Sequence, residues 1–219
     1  MYIEVIHQGK SLMSEAYRTL RSNIQFSNYG EGLKTLVVTS SNPSEGKSTT
    51  VLNVAASFAQ IGKKVLVIDA DMRHPTQNHL QDLSNSQGLS TLLSGQHVLN
   101  DLLEEVEQEG LTWTVLTAGP IPPNPAEMLH SLAMSRLIEQ LRSHYDLILI
   151  DTPPLLAVTD AQILARIADA TLLVVDSQQT TRKQLLESKK RLDSVQANLI
   201  GTVMNKVETD TDGYYYYHY

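Results

Sequence analysis

The run Asp146-Leu-Ile-Leu-Ile-Asp151 has no polar face. A strand with one side in water alternates apolar and polar residues, whereas one that is apolar throughout needs cover on both sides. The same property marks LKTLVVTS (33–40), KVLVIDAD (64–71) and TLLVVDS (171–177). Helical patterns separate these runs, over 47–61, 126–144, 158–168 and 180–196. Repetition of strand, helix and strand builds right-handed crossovers, so the chain is expected to be α/β, with a mostly parallel sheet and helices on both faces. LTWTVLTA (111–118) and NLIGTVMNKV (198–207) supply two further strands. The segment 72–110 is less regular, with short helical pieces at GLSTLLSG and LNDLLEEV. Near the N-terminus, residues 11–27 predict a separate helix. Met13, Tyr17, Leu20 and Ile24 make its apolar stripe, and Glu15, Arg18 and Arg21 fall on another face.

Composition narrows what such a sheet can serve. A net charge of −7 argues against a protein wrapped on nucleic acid. The absence of cysteine excludes disulfides, thiolate metal sites and thiol nucleophiles. No apolar run approaches the ~18 residues of a membrane span, and MYIEVIHQGK has no signal-peptide core, so a cytoplasmic location is expected. The seven histidines show no metal spacing, and Trp113 reads as core.

Three stretches carry chemistry. In SNPSEGKS (41–48) a loop follows a strand and opens a helix, the context that a phosphate-binding loop requires. Its backbone from Ser44, Glu45 and Gly46 through Lys47, Ser48 and Thr49 would cradle phosphates at the helix N-terminus. Lys47 would reach the β- and γ-phosphates, and Ser48 would ligate Mg²⁺. The motif's first position is Ser41 rather than glycine. In VLVIDADMR, Asp69 and Asp71 are two residues apart and would point the same way on an extended chain. Asp151 ends LILID at the edge where open α/β sheets hold ligands, as a Walker B carboxylate would.

With these stretches in view, the chain resembles the bacterial tyrosine kinases, or BY-kinases, and more narrowly the cytoplasmic kinase of Gram-positive capsule and exopolysaccharide systems. SNPSEGKST, VLVIDADMR, LILIDTPP, GPIPPNPAE and the terminal tyrosines occur in that family's order over nearly the whole chain. The resemblance implies a P-loop NTPase-like kinase using ATP and Mg²⁺, with autophosphorylation on Tyr214, Tyr215, Tyr216, Tyr217 and Tyr219. Glu15-x-x-Arg18-x-x-Arg21 matches the family's oligomerisation motif, which implies a homo-oligomeric ring. It also implies a membrane modulator whose cytoplasmic segment activates the kinase and recruits it to the membrane. Further protein tyrosines would be substrates. Partitioning and septum-site ATPases share the fold and are the competing reading. They carry a lysine where this chain has Asn42, and they lack the tyrosine cluster.

Catalytic roles are expected for Lys47, Asp69, Asp71 and Asp151. Ser48, Asp71 and Asp151 are expected to hold Mg²⁺. Asp69 is assigned to the tyrosine proton and Asp71 to the metal or its water shell, although the two could exchange. Asn205 is expected to contact adenine by analogy with related ATPases, or else to be a strand-end turn residue. The kinase domain is expected to span 1–207, with 208–219 a flexible tail. That tail reaches roughly 40 Å when extended, which covers its own site or a neighbour's.

Overall fold

A computed structural model of the chain describes residues 3, 11–27 and 32–208, so the tyrosine cluster lies outside the described residues. The elements run α1 (Leu12–Phe26), β1 (Thr35–Ser40), α2 (Lys47–Ala59), β2 (Val65–Asp69), α3 (Gln77–Gln81) and α4 (Leu89–Leu93). They continue with β3 (Glu104–Gln108), β4 (Leu111–Leu116), α5 (Pro125–Leu129), α6 (Leu132–Arg142), β5 (Leu147–Asp151), α7 (Asp160–Ile167), β6 (Ala170–Asp176), α8 (Arg182–Ser194) and β7 (Leu199–Asn205). The described strands form one seven-stranded sheet in the order β3-β4-β2-β5-β1-β6-β7. All pairings are parallel except β3 with β4. Strands β2 and β5 lie on one side of β1, and β6 and β7 on the other. Winding therefore reverses at β1, the arrangement that opens a ligand crevice at the carboxyl ends of the strands.

Strand β5 shows why its sequence has no polar face. Leu147 and Leu149 enter one core with Leu36, Val67, Val51, Leu52 and Ala55. Ile148 and Ile150 enter the opposite core with Met134 and Leu141 of α6 and Leu164 of α7. Helix α2 is buried from Lys47 to Ser48 and again from Thr50 to Phe58, because it lies between the sheet and α1. Ser11 caps α1, its hydroxyl accepting from the Ser14 N–H at 3.0 Å. Ile24 is buried and Tyr17 and Leu20 pack beside it, but Met13, the fourth residue of the expected stripe, is exposed.

Two expected helices fold differently. LNDLLEEV gives one 3₁₀ turn at Leu99–Asp101, and its end becomes strand β3. Glu109 and Gly110, at φ 49° and 78°, form a tight hairpin. That hairpin sets Val106 against Trp113 in the core and leaves Glu105 and Glu107 outside. The glutamates also charge this sheet edge, which discourages pairing with other chains. The helix expected over 126–144 is two, α5 and α6. Ser131 is extended (ψ 156°), and its hydroxyl accepts from the Met134 N–H to start a new helix.

Candidate active site

The loop after β1 meets the ends of β2, β5 and β7 around a cavity of about 670 Å³. Gly46 turns the chain into α2 with φ +93°, a conformation that strains any residue with a Cβ. A Cβ there would also collide with the Asn205 side-chain amide. Glycine has no side chain to cap α2, so the positive end of a buried helix faces this cavity without a side-chain partner. Ser44, at φ +62°, takes a conformation that glycine would adopt more easily. Lys206 steadies it, its Nζ donating to the Ser44 carbonyl at 2.9 Å and to Asp176 Oδ2 at 2.7 Å.

Ser44, Gly46, Lys47, Ser48 and Thr49 line the cavity. Glu45 does not. Its Oε1 accepts from Asn42 Nδ2 at 3.0 Å and from the Thr180 hydroxyl, so its side chain braces the loop from behind. Asn205 lines the cavity, but its amide donates to the Glu45 carbonyl at 3.0 Å, so it too buttresses the loop.

Lys47 Nζ lies 3.3 Å from Asp71 Oδ2, 3.8 Å from Asp151 Oδ1 and 3.3 Å from the Ser48 hydroxyl. Burial works against its charge, but Asp151 and Asp71 outweigh that and hold its pKa above the usual value. Burial pushes Asp151 up, against the opposing pull of Lys47, Ser48 and Gln77. Asp151 Oδ1 is a buried acceptor with no hydrogen-bond partner. An orphaned carboxylate oxygen beside a hydroxyl and a second carboxylate is a donor set that fits a hard cation such as Mg²⁺. No cluster of three potential ligands among His, Cys, Asp and Glu occurs among the described residues.

The structure gives Asp69 and Asp71 different surroundings: β2 ends at Asp69, and Asp71 lies two residues beyond it. Asp71 lines the cavity. Asp69 is fully buried and does not line it. Its Oδ2 accepts from the Thr76 and Gln77 N–H groups, each at 2.9 Å, and its Oδ1 accepts from the Asp71 N–H at 3.1 Å. Burial, with Asp151 adding, raises its pKa to about 7. Of the two carboxylates, Asp71 is the one on the cavity wall, while Asp69 is taken up by backbone N–H groups behind it.

Arg73, also on the cavity wall, was not visible as a site residue in the sequence. Its Nε and Nη2 clasp fully buried Asp160 at 2.9 and 3.0 Å. Such a bidentate pair fixes the guanidinium plane and leaves Nη1 outside the clasp. Its position two residues beyond Asp71 was the available signal. No residue of α1 lines the cavity. Arg18 pairs with Glu15 on the exposed surface. Arg21 donates to the Ser57 carbonyl of α2 at 2.6 Å, so it ties α1 to its own domain.

Residues 33–207 match a family described as an AAA domain. The chain is 44% identical over 198 residues to the tyrosine-protein kinase YwqD of Bacillus subtilis, covering 90% of this chain and 83% of that one. The kinase domain of Escherichia coli tyrosine kinase ETK superposes with a TM-score of 0.91 at 34% identity, covering 100% of this chain and 85% of that domain. The chimerical protein CapA2B2 gives 0.89 at 38%, with 94% and 90% covered. The match therefore takes in the phosphate loop, both aspartate-tipped strands and the N-terminal helix, and the chain belongs to the bacterial tyrosine-protein kinase family, on the P-loop ATPase fold.

Proposed function

We propose that this chain transfers the γ-phosphate of ATP to tyrosine hydroxyls, its own C-terminal cluster foremost, and so regulates capsular or exopolysaccharide synthesis. The observation that carries the reading is where the sheet releases the chain. Asn205 and Lys206 line the cavity at the end of β7. From Lys206 the backbone can extend roughly 26–29 Å before Tyr214, enough to return to this cavity or enter that of an adjacent copy.

Phosphoryl transfer asks a protein for positioning and charge neutralisation more than for covalent help. Lys47 exchanges its carboxylate partners for phosphate oxygens, and the loop backbone with the α2 N-terminus holds the remaining phosphate charge. Ser48 and Asp151 would hold Mg²⁺, which would offset phosphate charge. Asp71 orients the tyrosine hydroxyl and accepts its proton, a role for which a nearby carboxylate is suited because a phenol is a weak acid. Arg73, held by Asp160, supports charge at the cavity mouth.

Incubation with ATP and Mg²⁺ followed by mass spectrometry of the C-terminal peptide tests this. Phosphate is expected on Tyr214–Tyr217 and Tyr219. ATP hydrolysis with an unmodified tail would instead favour a positioning ATPase, and neither activity, even with a modulator segment present, would favour a nucleotide-binding adaptor.

The family resemblance also supports a ring of copies joined through α1, and a membrane modulator that recruits and activates the kinase from the cytoplasmic side. No helix among the described residues is long and apolar enough to cross a membrane, which fits recruitment through such a partner. Arg18 and Glu15 remain available on the outer face of α1, and Arg21 contributes by holding that helix to α2. Arg18→Ala is expected to shift the protein toward monomer at unchanged melting temperature. Arg21→Ala should lower both assembly and melting temperature. Light scattering and thermal melts separate the two, and an Arg18→Ala protein of wild-type size would remove α1 from the interface.

A further inference from the structure

Four side chains run in a buried line from β4 to β5. Trp113 Nε1 donates to Gln81 Oε1 at 2.6 Å. Gln81 Nε2 donates to Gln77 Oε1 at 3.0 Å. Gln77 Nε2 donates to Asp151 Oδ2 at 2.8 Å and also to the Ser48 carbonyl at 3.2 Å. All four residues are buried. The glutamines stand one turn apart on α3, whose first residues are pinned by Asp69 through the Thr76 and Gln77 N–H groups.

The direction of this line is forced. An indole nitrogen only donates. Gln81 must therefore face Trp113 with its oxygen, which turns its NH₂ toward Gln77. Gln77 must accept with its own oxygen and present its NH₂ to Asp151, which as a carboxylate only accepts. One donor-only group at the far end thus orients two amides that could otherwise flip. Aligned bonds polarise one another, and here the sum points at the Asp151 carboxylate. Two amides in an apolar interior cost stability unless fully bonded, whereas leucines would fill the space without that demand.

We propose that Trp113, Gln81 and Gln77 are positioning residues for Asp151. They fix its rotamer and hold Oδ2, so that Oδ1, which has no hydrogen bond, is left for Mg²⁺. This rests on reading Asp151 as a metal-holding carboxylate. Gln77 reaches the metal site twice, since it also holds the backbone of Ser48.

Trp113 is the chain's only tryptophan, so its indole N–H gives a single ¹H–¹⁵N resonance. The test compares that resonance in the full chain without nucleotide or metal, as wild type, Gln77→Met and Asp151→Asn. Neither substituted residue hydrogen-bonds Trp113, yet the indole proton is expected to move upfield in both variants as the line weakens. A resonance that stays in place in both overturns the proposal. A second arm measures ADP binding by calorimetry while Mg²⁺ is varied. Gln77→Met should need about 10-fold more Mg²⁺ for half-maximal binding, as when an outer-shell partner of a metal ligand is lost. Trp113→Phe should shift the same way by less, with its Mg²⁺-free ADP affinity unchanged. An unaltered Mg²⁺ requirement in both variants counts against the proposal. Failure of the wild-type protein to bind ADP would defeat the nucleotide reading, and the indole comparison would still decide on the line itself.

Discussion

Lys47→Met is expected to lower tyrosine phosphorylation by at least about 10²–10³-fold, the scale on which removal of one preorganised electrostatic contact acts. The magnitude follows from where the ammonium sits. Lys47 lies within 4 Å of both Asp71 and Asp151, and all three side chains are buried, where charge contacts are stronger than in bulk water. Methionine keeps most of the apolar stem, one atom shorter, and removes the ammonium with its charge and its donors. The same substitution carries a stability signature. Asp69 titrates near 7 and Asp151 also lies above the usual carboxylate range, both mainly through burial. Without Lys47 nearby, Asp151 rises further. A carboxyl whose folded pKa exceeds its unfolded value binds more protons when folded, so stability falls as pH climbs between the two values. In buffer free of nucleotide and Mg²⁺, the melting temperature of Lys47→Met should therefore drop below wild type by more at pH 8 than at pH 5. An equal deficit at both pH values would mean that Asp151 does not depend on this lysine.

The second large effect separates the paired aspartates. Asp71→Asn is expected to reduce kcat by about 10²-fold or more, the range for loss of a general base, with little change in melting temperature. Asp69→Asn should do the reverse. Its two oxygens accept three backbone N–H groups, and an amide nitrogen in place of one oxygen faces donors with a donor. Leaving buried N–H groups unsatisfied costs about 1–3 kcal/mol each. Thermal melts and phosphorylation rates on the same preparations decide. If Asp69→Asn is catalytically dead at wild-type stability, the proton belongs to Asp69 after all.

The sequence made the central architecture legible because burial leaves a strong trace. Runs such as LILI and LVV lack a polar face, and the structure puts their alternate residues into two separate cores. The phosphate loop was legible because glycine, lysine and serine occur at a spacing that only makes sense between a strand and a helix. Strand β3 was obscured by its own composition: glutamates and leucines favour helix locally, and only the Glu109-Gly110 turn and the pairing with Trp113 override them. Spacing alone did not tell Asp69 from Asp71: the first gathers N–H groups from residues up to Gln77, and only the second lines the cavity. Arg73, Gln77 and Gln81 looked unremarkable for another reason. Each acquires its role from a partner distant in the chain, Asp160, Asp151 or Trp113, and no local pattern reports such a meeting.

The phosphate loop is held from several distant parts of the chain at once. Lys206 grips the Ser44 carbonyl, Asn205 the Glu45 carbonyl, Thr180 and Asn42 the Glu45 carboxylate, Gln184 the Asn42 amide, and Ser188 the Ser41 hydroxyl. The eight-residue motif is therefore not a portable cassette. Transplanted into a foreign strand and helix without β7 and α8, it would keep its letters and lose its shape, so designers who borrow it must carry the end of this chain along with the beginning.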